Sequence, residues 1–333
     1  MKIALIGSGS WGTAVAGLLA RHVDQVVMWA HSDECVDGIN TCHKNPRYLT
    51  DYQLPLNVCA TSSLKLALQD AQAAVIVVPS THLRSVCVSM APYVSCDLPL
   101  LCLTKGIEYE TGYLMTDILS EVFGNPGRVA ALSGPNHAEE ICKGGFAAAV
   151  VAAKDTKISD FFKSCLLSHT FRVYTSQDVI GVELCAAMKN IIAIACGIAS
   201  GYDYGDNTLA LLMTRGLAEI SRMVYACGGN PLTCMGLAGM GDLIATCSSK
   251  HSRNRTFGEC LSSGESLESY QERTHMVVEG AQAARSVSKL AHKLDVDAPI
   301  TFALDALLWR DVNIEEVFAQ LIDRMPSEEF YGL

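Results

Sequence analysis

The sequence lacks two patterns that would assign it at once to a common class of protein. Its 14 cysteines include no C-x-x-C pair, whereas a zinc site usually needs such pairs with histidines nearby. Single scattered cysteines also make a poor disulfide framework, so we expect most to be small apolar core residues in a reducing cytoplasm. An excess of basic residues is missing too. The formal net charge is -10, which argues against a nucleic-acid partner.

Long uncharged apolar runs suited to a membrane are also absent. The N-terminal apolar run covers residues 3–6 before Gly7 interrupts it, which is too short for the core of a signal peptide. The most apolar long window, 179–199, contains Glu183 and Lys189. Each of these charges would cost about 3 kcal/mol at the centre of a bilayer. We therefore expect a buried helix, a cytoplasmic location and no membrane insertion.

The 333 residues, half of them hydrophobic, are too many for one typical core and predict two globular domains. Short apolar runs alternate with helix-length segments through the first half. Strands joined by helical crossovers form a parallel sheet that is covered on both faces. The predicted strands are 3–6, 25–30, 73–78, 98–103, 129–132, 146–152 and 171–174, with helices at 13–21 and 64–69 among them.

The pattern changes near residue 178. Three long helix-like segments follow, at 179–199, 207–227 and 278–293, and no convincing strand-like run accompanies them. A strong helix stop, Gly-Gly-Asn-Pro, begins at Gly228. We predict an α/β domain with a doubly wound, mainly parallel sheet over residues 1–178 and an all-α domain over residues 179–333.

A glycine-rich turn follows the first predicted strand directly and opens a helix. Residues 7–12 (GSGSWG) have the spacing G-x-G-x-x-G that is typical of Rossmann-type dinucleotide sites in this context. Gly7 makes the tight turn, Gly9 lets the backbone approach a pyrophosphate, and Gly12 lets the helix pack on the strand. The free N–H groups of the helix N-terminus then face the phosphates. A glycine-rich turn without a ligand is the alternative.

The end of the second predicted strand bears on the choice of cofactor. A plain NAD site places a carboxylate there to accept hydrogen bonds from the ribose. Here Ala30 is followed by His31 and Ser32, and the first carboxylate is Asp33. Because nothing at this place strongly repels a 2′-phosphate, we expect NADPH to serve at least as well as NADH. A histidine that is merely exposed in a loop is the alternative.

Polar residues follow two further predicted strands. Lys105 comes shortly after an apolar run, at the carboxyl end of a parallel strand, where such folds bind ligands. Gly134 begins a Gly-Pro turn, so that Asn136 and His137 can point into a cleft. The alternatives are a surface lysine and a purely structural turn.

Lys189 is the most unusual charge, because it lies inside an apolar helix. A buried amine must be paired or shifted toward neutrality. A lysine with a lowered pKa can donate or accept a proton near neutral pH. Glu183, six residues earlier, is on another face and is a poor partner. A lysine whose head reaches solvent at the helix edge is the alternative.

Two polar segments in the second half complete the candidate site. Asp242 follows the glycines of residues 239–241 and can orient a lysine or a substrate hydroxyl, although a helix cap is the alternative. Residues 252–255 (SRNR) carry two guanidinium groups, which match phosphate oxygens with forked hydrogen bonds. In an acidic chain they predict a phosphate site, with a solvated loop as the alternative.

These segments occur in one order over nearly the whole chain, and the ordered set is far more specific than any single motif. The set resembles the bacterial NAD(P)-dependent glycerol-3-phosphate dehydrogenases. The segments that carry the resemblance are 7–14 (GSGSWGTA), 103–108 (LTKGIE), 133–135 (SGP), the helix with Glu183, Lys189 and Asn190, 237–243 (LAGMGDL), 252–254 (SRN) and 278–280 (VEG).

The resemblance implies reversible reduction of dihydroxyacetone phosphate to sn-glycerol 3-phosphate with NADP or NAD, supplying glycerophospholipid synthesis. Lys189 would accept the proton in the oxidation direction, and Asp242 would position Lys189 or the substrate. The implied cofactor contacts are Gly7, Gly9, Ser10, Trp11, Gly12, His31, Lys105, Ala138, Arg253, Val277 and Glu279. The implied substrate contacts are Lys105, Gly134, Asn136, Lys189, Asp242, Ser252, Arg253 and Asn254. No metal is needed, and a homodimer is left open.

The chain departs from the family pattern at two places. Asn136 and His137 stand where members often have Ser and Phe, and His31 stands where many have Arg. Two other functions are left open. One is a β-hydroxyacid dehydrogenase of the same architecture, whose carboxylate substrate an arginine would also anchor. The other is a dinucleotide-sensing regulator without turnover, which would need no buried lysine.

Overall fold

The computed structural model of the chain describes residues 1–310, 312–323, 328, 329, 331 and 332. The chain divides into two compact units. Unit 1 comprises Met1–Thr104 and Met115–Val179, and unit 2 comprises Lys105–Leu114 and Ile180–Leu333. The division therefore differs from a single cut after residue 178, since the short segment Lys105–Leu114 packs with unit 2.

Unit 1 is built on an eight-stranded sheet with the order β3-β2-β1-β4-β5-β6-β7-β8. Neighbouring strands are parallel except β6 and β7, so the predicted mainly parallel, Rossmann-type sheet is confirmed. The strand order reverses beside β1, which is where open α/β sheets bind ligands. The strands are β1 (Lys2–Ile6), β2 (Gln25–Trp29), β3 (Val58–Thr61), β4 (Ala73–Ile76), β5 (Leu100–Cys102), β6 (Val129–Ser133), β7 (Ala147–Ala153) and β8 (Phe171–Ser176).

Helices cover both faces of this sheet. Ile3 and Leu5 of β1 belong to one hydrophobic cluster, and Ala4 and Ile6 belong to another. Burial on both faces is the reason that the strands read as continuous apolar runs. The helices of unit 1 are α1 (Ser10–Leu19), α2 (Asp33–Cys42), α3 (Leu64–Leu68), α4 (Leu83–Met90), α5 (Met115–Phe123), α6 (Ala138–Cys142) and α7 (Thr156–Leu166).

All seven predicted strands are present, each within two residues at either end, but one strand was missed. That strand, β3, has only four residues, and its burial alternates at the edge of the sheet. An alternation over four residues is too short a signal to separate from a loop. The predicted helix at 13–21 begins earlier, at Ser10, because the glycine-rich turn itself forms the first helical turn.

From Ile180 onward, unit 2 is helical in the part of the chain that the structure describes, so the predicted all-α C-terminal region is confirmed. The longest helix is long and apolar enough to cross a membrane, yet 89% of its most apolar window is buried inside the protein, as in a core helix. The helices are α8 (Val179–Gly201), α9 (Asp206–Ala226), α10 (Asp242–Ser248), α11 (Arg253–Ser262), α12 (Leu267–Thr274), α13 (Glu279–Leu294), α14 (Pro299–Trp309) and α15 (Ile314–Ile322).

Candidate active site

The glycine-rich turn of unit 1 is shaped by close backbone contacts. Gly7 has φ 122°, and a Cβ atom there would lie 2.7 Å from the carbonyl oxygen of Val77. A Cβ on Gly12 would lie 2.4 Å from the carbonyl oxygen of Gly7. These two glycines therefore let α1 start directly against the turn. At Gly9, by contrast, a Cβ would meet nothing within 4 Å in the described part of the chain.

Asn45 braces the same turn from a distance. Its buried side chain donates from Nδ2 to the carbonyl oxygen of Ser8 at 2.7 Å and to Oγ1 of Thr13 at 2.9 Å. Its Oδ1 accepts from the backbone N–H groups of Arg47 and Tyr48. Sequence reasoning missed Asn45, since one asparagine before a proline indicates only a turn. Ser8 and Thr13, the two residues of the turn that it contacts, lie more than thirty positions away.

Trp11 and Asn136 of unit 1 each have a buried side-chain nitrogen without an acceptor in the part of the chain that the structure describes. The Nε1 atom of Trp11 and the Nδ2 atom of Asn136 find no hydrogen-bond partner among the described residues. Trp11 lies in the first turn of α1, just after β1, and Asn136 lies between β6 and α6, which Ala138 begins. A buried donor without an acceptor costs about 1–3 kcal/mol. Both atoms therefore suit a polar ligand at this edge of the sheet, which supports the cofactor and substrate contacts predicted for these two residues.

The predicted ribose region lies between β2 and α2. His31 is exposed, and Ser32 is the N-cap of α2. The first carboxylates, Asp33 and Glu34, are in the first turn of α2. Glu34 is paired with Arg47, whose Nε donates to Oε2 at 2.7 Å. The imidazole of His31 is therefore open to solvent and to a ligand, whereas the guanidinium group of Arg47 already has a carboxylate partner.

The chemical centre of unit 2 is a buried carboxylate between two ammonium groups. Asp242 is the first residue of α10, and its side chain is 3% exposed. Its Oδ1 accepts from Nζ of Lys189, and its Oδ2 accepts from Nζ of Lys105 at 3.0 Å. Lys189 also donates to Oγ1 of Thr246 at 2.8 Å. Sequence reasoning missed Thr246, although its place four residues after Asp242 on one helix was a usable signal.

The electrostatics of this cluster favour proton transfer near neutral pH. Burial lowers the pKa of Lys189 to about 8, and the charge of Lys105 acts in the same direction, while Asp242 opposes both. Burial would raise the pKa of Asp242, but the two lysines outweigh it and hold that pKa at about 2. The carboxylate therefore stays ionised at neutral pH, while the Lys189 amine can gain and lose a proton.

The glycine-rich segment before Asp242 is helical. Leu237–Gly241 forms a single π-helical turn that leads straight into α10. A Cβ on Gly239 would lie 2.1 Å from the carbonyl oxygen of Cys234, so the turn packs closely on the preceding segment. This packing fixes the start of α10. Asp242 is not an N-cap but a residue of the first turn, with its carboxylate bonded to the lysines.

A chain of hydrogen bonds joins three more helices of unit 2. Asn254, near the start of α11, donates from Nδ2 to Oδ1 of Asn190 at 3.0 Å, and its Oδ1 accepts from the backbone N–H of Gly280 at 2.9 Å. Asn190 follows Lys189 on α8, and Gly280 follows Glu279 at the start of α13. The bonds therefore connect three segments that contain predicted site residues.

The two arginines of the predicted phosphate segment have different environments. Ser252 caps α11, since its Oγ accepts from the backbone N–H of Arg255 at 3.3 Å. Arg255 forms an ion pair with Glu259 at 2.8 Å. Arg253 is exposed and has no ion pair among the described residues. Arg253 is therefore the guanidinium group that is available to an anion. Val277, just before α13, is half-buried.

Comparisons with known proteins identify the family of the chain. Residues 2–159 match the N-terminal family model of NAD-dependent glycerol-3-phosphate dehydrogenase, and residues 178–319 match the C-terminal one. A glycerol-3-phosphate dehydrogenase [NAD(P)+] from Corynebacterium urealyticum is 43% identical over 99% of this chain and 100% of its own length. One from Bacillus cytotoxicus is 42% identical over 98% of this chain and 97% of its own.

A solved structure shows the same likeness in three dimensions. The crystal structure of glycerol-3-phosphate dehydrogenase from Coxiella burnetii superposes with a TM-score of 0.92 at 36% identity, covering 97% of this chain and 99% of that one. The sequence matches and the structural match cover nearly the whole chain. The chain therefore belongs to the NAD-dependent glycerol-3-phosphate dehydrogenase family.

Proposed function

We propose that this protein catalyses the reversible reduction of dihydroxyacetone phosphate to sn-glycerol 3-phosphate with NADPH or NADH. The observation that carries the proposal is the buried Lys105–Asp242–Lys189 cluster in a member of this family. The product serves glycerophospholipid synthesis, and the protein works in the cytoplasm. The dinucleotide supplies the hydride when bound.

The N-terminal domain, residues 1–178, binds the dinucleotide. Gly7, Gly9 and Gly12 shape the turn that receives the pyrophosphate, beside Ser10, and the open space at Gly9 leaves room for the phosphates. Trp11 offers a buried indole N–H that lacks an acceptor among the described residues. His31, at the end of β2, faces the ribose, and Ala138, Val277 and Glu279 complete the cofactor contacts.

The C-terminal domain, residues 179–333, carries the acid–base chemistry, to which Lys105 contributes. In the reduction, the ammonium group of Lys189 donates a proton to the oxygen on C2 of the substrate while a hydride reaches C2. In the oxidation, the neutral amine of Lys189 accepts that proton. Asp242 orients Lys189 and remains a carboxylate throughout. Burial would raise the pKa of Asp242, but the two lysines outweigh burial and hold that pKa at about 2. The adjacent ammonium groups also stabilise negative charge that develops on the oxygen.

The phosphate of the substrate is held by Arg253. Its exposed guanidinium group can make a forked pair of hydrogen bonds with phosphate oxygens. Ser252 and Asn254 contribute polar contacts on either side, and Gly134 and Asn136 add contacts from the turn after β6.

Oxidation of NADPH on addition of dihydroxyacetone phosphate, followed by absorbance, tests the function. A β-keto acid such as acetoacetate, at equal concentration, is the matched comparison. We expect turnover with the phosphate and little with the carboxylate. Turnover of the carboxylate alone would establish a β-hydroxyacid dehydrogenase. Cofactor binding without turnover of either compound would establish a regulator.

A further inference from the structure

The segment Lys105–Leu114, here called the strap, is a small hairpin that carries Lys105 as its first residue. Ile107 pairs antiparallel with Leu114, and both are buried. The N–H of Glu108 donates to the carbonyl oxygen of Tyr113 at 2.9 Å, and the N–H of Gly112 donates to that of Glu108 at 2.8 Å. These bonds give the strap a defined conformation. We therefore expect the position of its tip to influence the position of Lys105.

Two residues of helix α13 contact Tyr109 at the tip of the strap. Nζ of Lys289 donates to the carbonyl oxygen of Tyr109 at 2.9 Å and lies 4.3 Å from the centre of its ring. The guanidinium carbon of Arg285 also lies 4.3 Å from that centre. Leu290 adds an apolar contact, since its Cδ1 would lie 3.6 Å from a Cβ on Gly112. Two cations therefore contact the ring of Tyr109.

The spacing of the two cations supports a specific role for this contact. Arg285 and Lys289 are four residues apart on one exposed face of α13, where like charges repel. The negative face of the Tyr109 ring attracts both cations, and its carbonyl oxygen also accepts a hydrogen bond from Lys289. Arg285 also lies 5.0 Å from the ring centre of Trp309 on α14, which restricts its position further.

We propose that Tyr109, Arg285 and Lys289 form a clamp that sets the position of Lys105 against Asp242. They are positioning residues, acting through the strap and not by touching the substrate, and the inference rests on the proposed function. The same helix donates from Gly280 to Asn254, which in turn bonds to Asn190. Helix α13 therefore holds the strap at one place and the neighbour of Lys189 at another.

A loosened clamp has a specific electrostatic consequence. The charge of Lys105 lowers the pKa of Lys189, although burial is the larger cause. If Lys105 moves away, the pKa of Lys189 therefore rises. Among the described residues, Asp242 and Cys247 of α10 also interact electrostatically with Lys189, and neither belongs to the clamp. A purely structural contact would not shift this titration.

The test compares Tyr109→Leu, which removes the ring, with Tyr109→Phe, which keeps it. Lys293→Met, one turn beyond Lys289 on α13, is the control for loss of a surface charge. We expect kcat/KM for dihydroxyacetone phosphate to fall by about tenfold or more in Tyr109→Leu, because small misplacements of a reacting group are costly. In the same variant, the rise of the glycerol 3-phosphate oxidation rate with pH should occur at higher pH. Tyr109→Phe and Lys293→Met should match the wild type in both measurements.

A measurement without turnover separates this inference from the proposed function. Nuclear magnetic resonance of protein labelled with ¹³C at lysine Cε follows the titration of Lys189 directly. We expect the midpoint of the Lys189 titration to lie at higher pH in Tyr109→Leu than in the wild type, whatever the enzyme's substrate. A Lys189 titration that does not shift in Tyr109→Leu overturns the clamp. A loss of activity that only accompanies a lower Tm, with an unchanged pH dependence of glycerol 3-phosphate oxidation, overturns it as well. Absence of wild-type turnover with a shifted titration overturns the proposed function and leaves the clamp standing.

Discussion

Nζ of Lys105 lies 3.0 Å from Oδ2 of Asp242, although 137 positions separate the two residues. The other oxygen of Asp242 accepts from Lys189. When both lysines are protonated, the three side chains carry one net positive charge. A positive, largely dehydrated cluster suits an anionic substrate and a developing oxyanion.

Replacement of Lys189 by alanine should lower kcat by about 10²–10⁴-fold, the usual loss for a positioned acid or base. Lys189 makes hydrogen bonds with Asp242 and Thr246, which hold its amine in a fixed position. Steady-state kinetics and cofactor titration measure the effect, with Lys293→Ala as a control on an exposed lysine. Cofactor affinity should change little. A variant that keeps more than a tenth of wild-type kcat would remove Lys189 from proton transfer.

The pH dependence should follow the Lys189 amine. Burial lowers the pKa of Lys189 to about 8, so kcat for glycerol 3-phosphate oxidation should rise with pH through about 8, as the amine becomes neutral. The reduction needs the ammonium form and should fall over the same range. Asp242→Asn removes an attraction that raises this pKa, so the limb should move to lower pH and kcat should drop. If the rise of kcat with pH occurred at the same pH in Asp242→Asn as in the wild type, Asp242 would not influence the pKa of Lys189.

Arg253→Ala should weaken substrate binding by about ten- to a hundredfold, since a charged hydrogen bond contributes about 1.5–3 kcal/mol. Arg255→Ala is the matched control, because Arg255 is already paired with Glu259 and should affect stability more than KM. KM for dihydroxyacetone phosphate is the measurement, with kcat changing less. If Arg255→Ala raised KM and Arg253→Ala did not, the anchor would be assigned to the other arginine.

The wild type should use NADPH at least as well as NADH, since no carboxylate precedes Asp33 at the end of β2. His31→Asp should reverse the preference, because a carboxylate repels a 2′-phosphate and accepts from ribose hydroxyls. The ratio of kcat/KM for the two cofactors measures this. His22→Asp, at another exposed histidine of unit 1, controls for the added charge. An unchanged ratio in His31→Asp would mean that the 2′-position is recognised elsewhere, for example by Lys44.

Two glycines of the turn should separate cofactor binding from stability. A Cβ on Gly9 meets no described atom within 4 Å, so Gly9→Ala should leave Tm unchanged and weaken cofactor binding. A Cβ on Gly12 would lie 2.4 Å from the oxygen of Gly7, so Gly12→Ala should lower stability by about 1–3 kcal/mol. Thermal unfolding and fluorescence titration with NADPH measure the two effects. Normal NADPH affinity in Gly9→Ala would place the pyrophosphate away from this turn.

Features whose causes are local could be predicted from the amino-acid sequence. The glycine-rich turn is recognisable because its residues are consecutive and follow a strand, and the helical second half follows from its apolar periodicity. Lys189 stood out because a charge inside an apolar helix needs a compensating partner. Asp242 and the two arginines were predicted as polar groups, but their roles could not be separated by residue type.

Contacts between side chains that are distant in the sequence depend on how the helices and strands pack. The partners of Asp242, the bracing of Ser8 by Asn45 and the grip on Tyr109 join residues that are far apart in the chain. Turn chemistry and periodicity act over a few residues, so they place elements but not the contacts between distant ones. The packing of helices in unit 2 encloses Lys189 deeply enough to lower its pKa. The ion pair of Arg255 with Glu259, by contrast, joins residues one turn apart on α11.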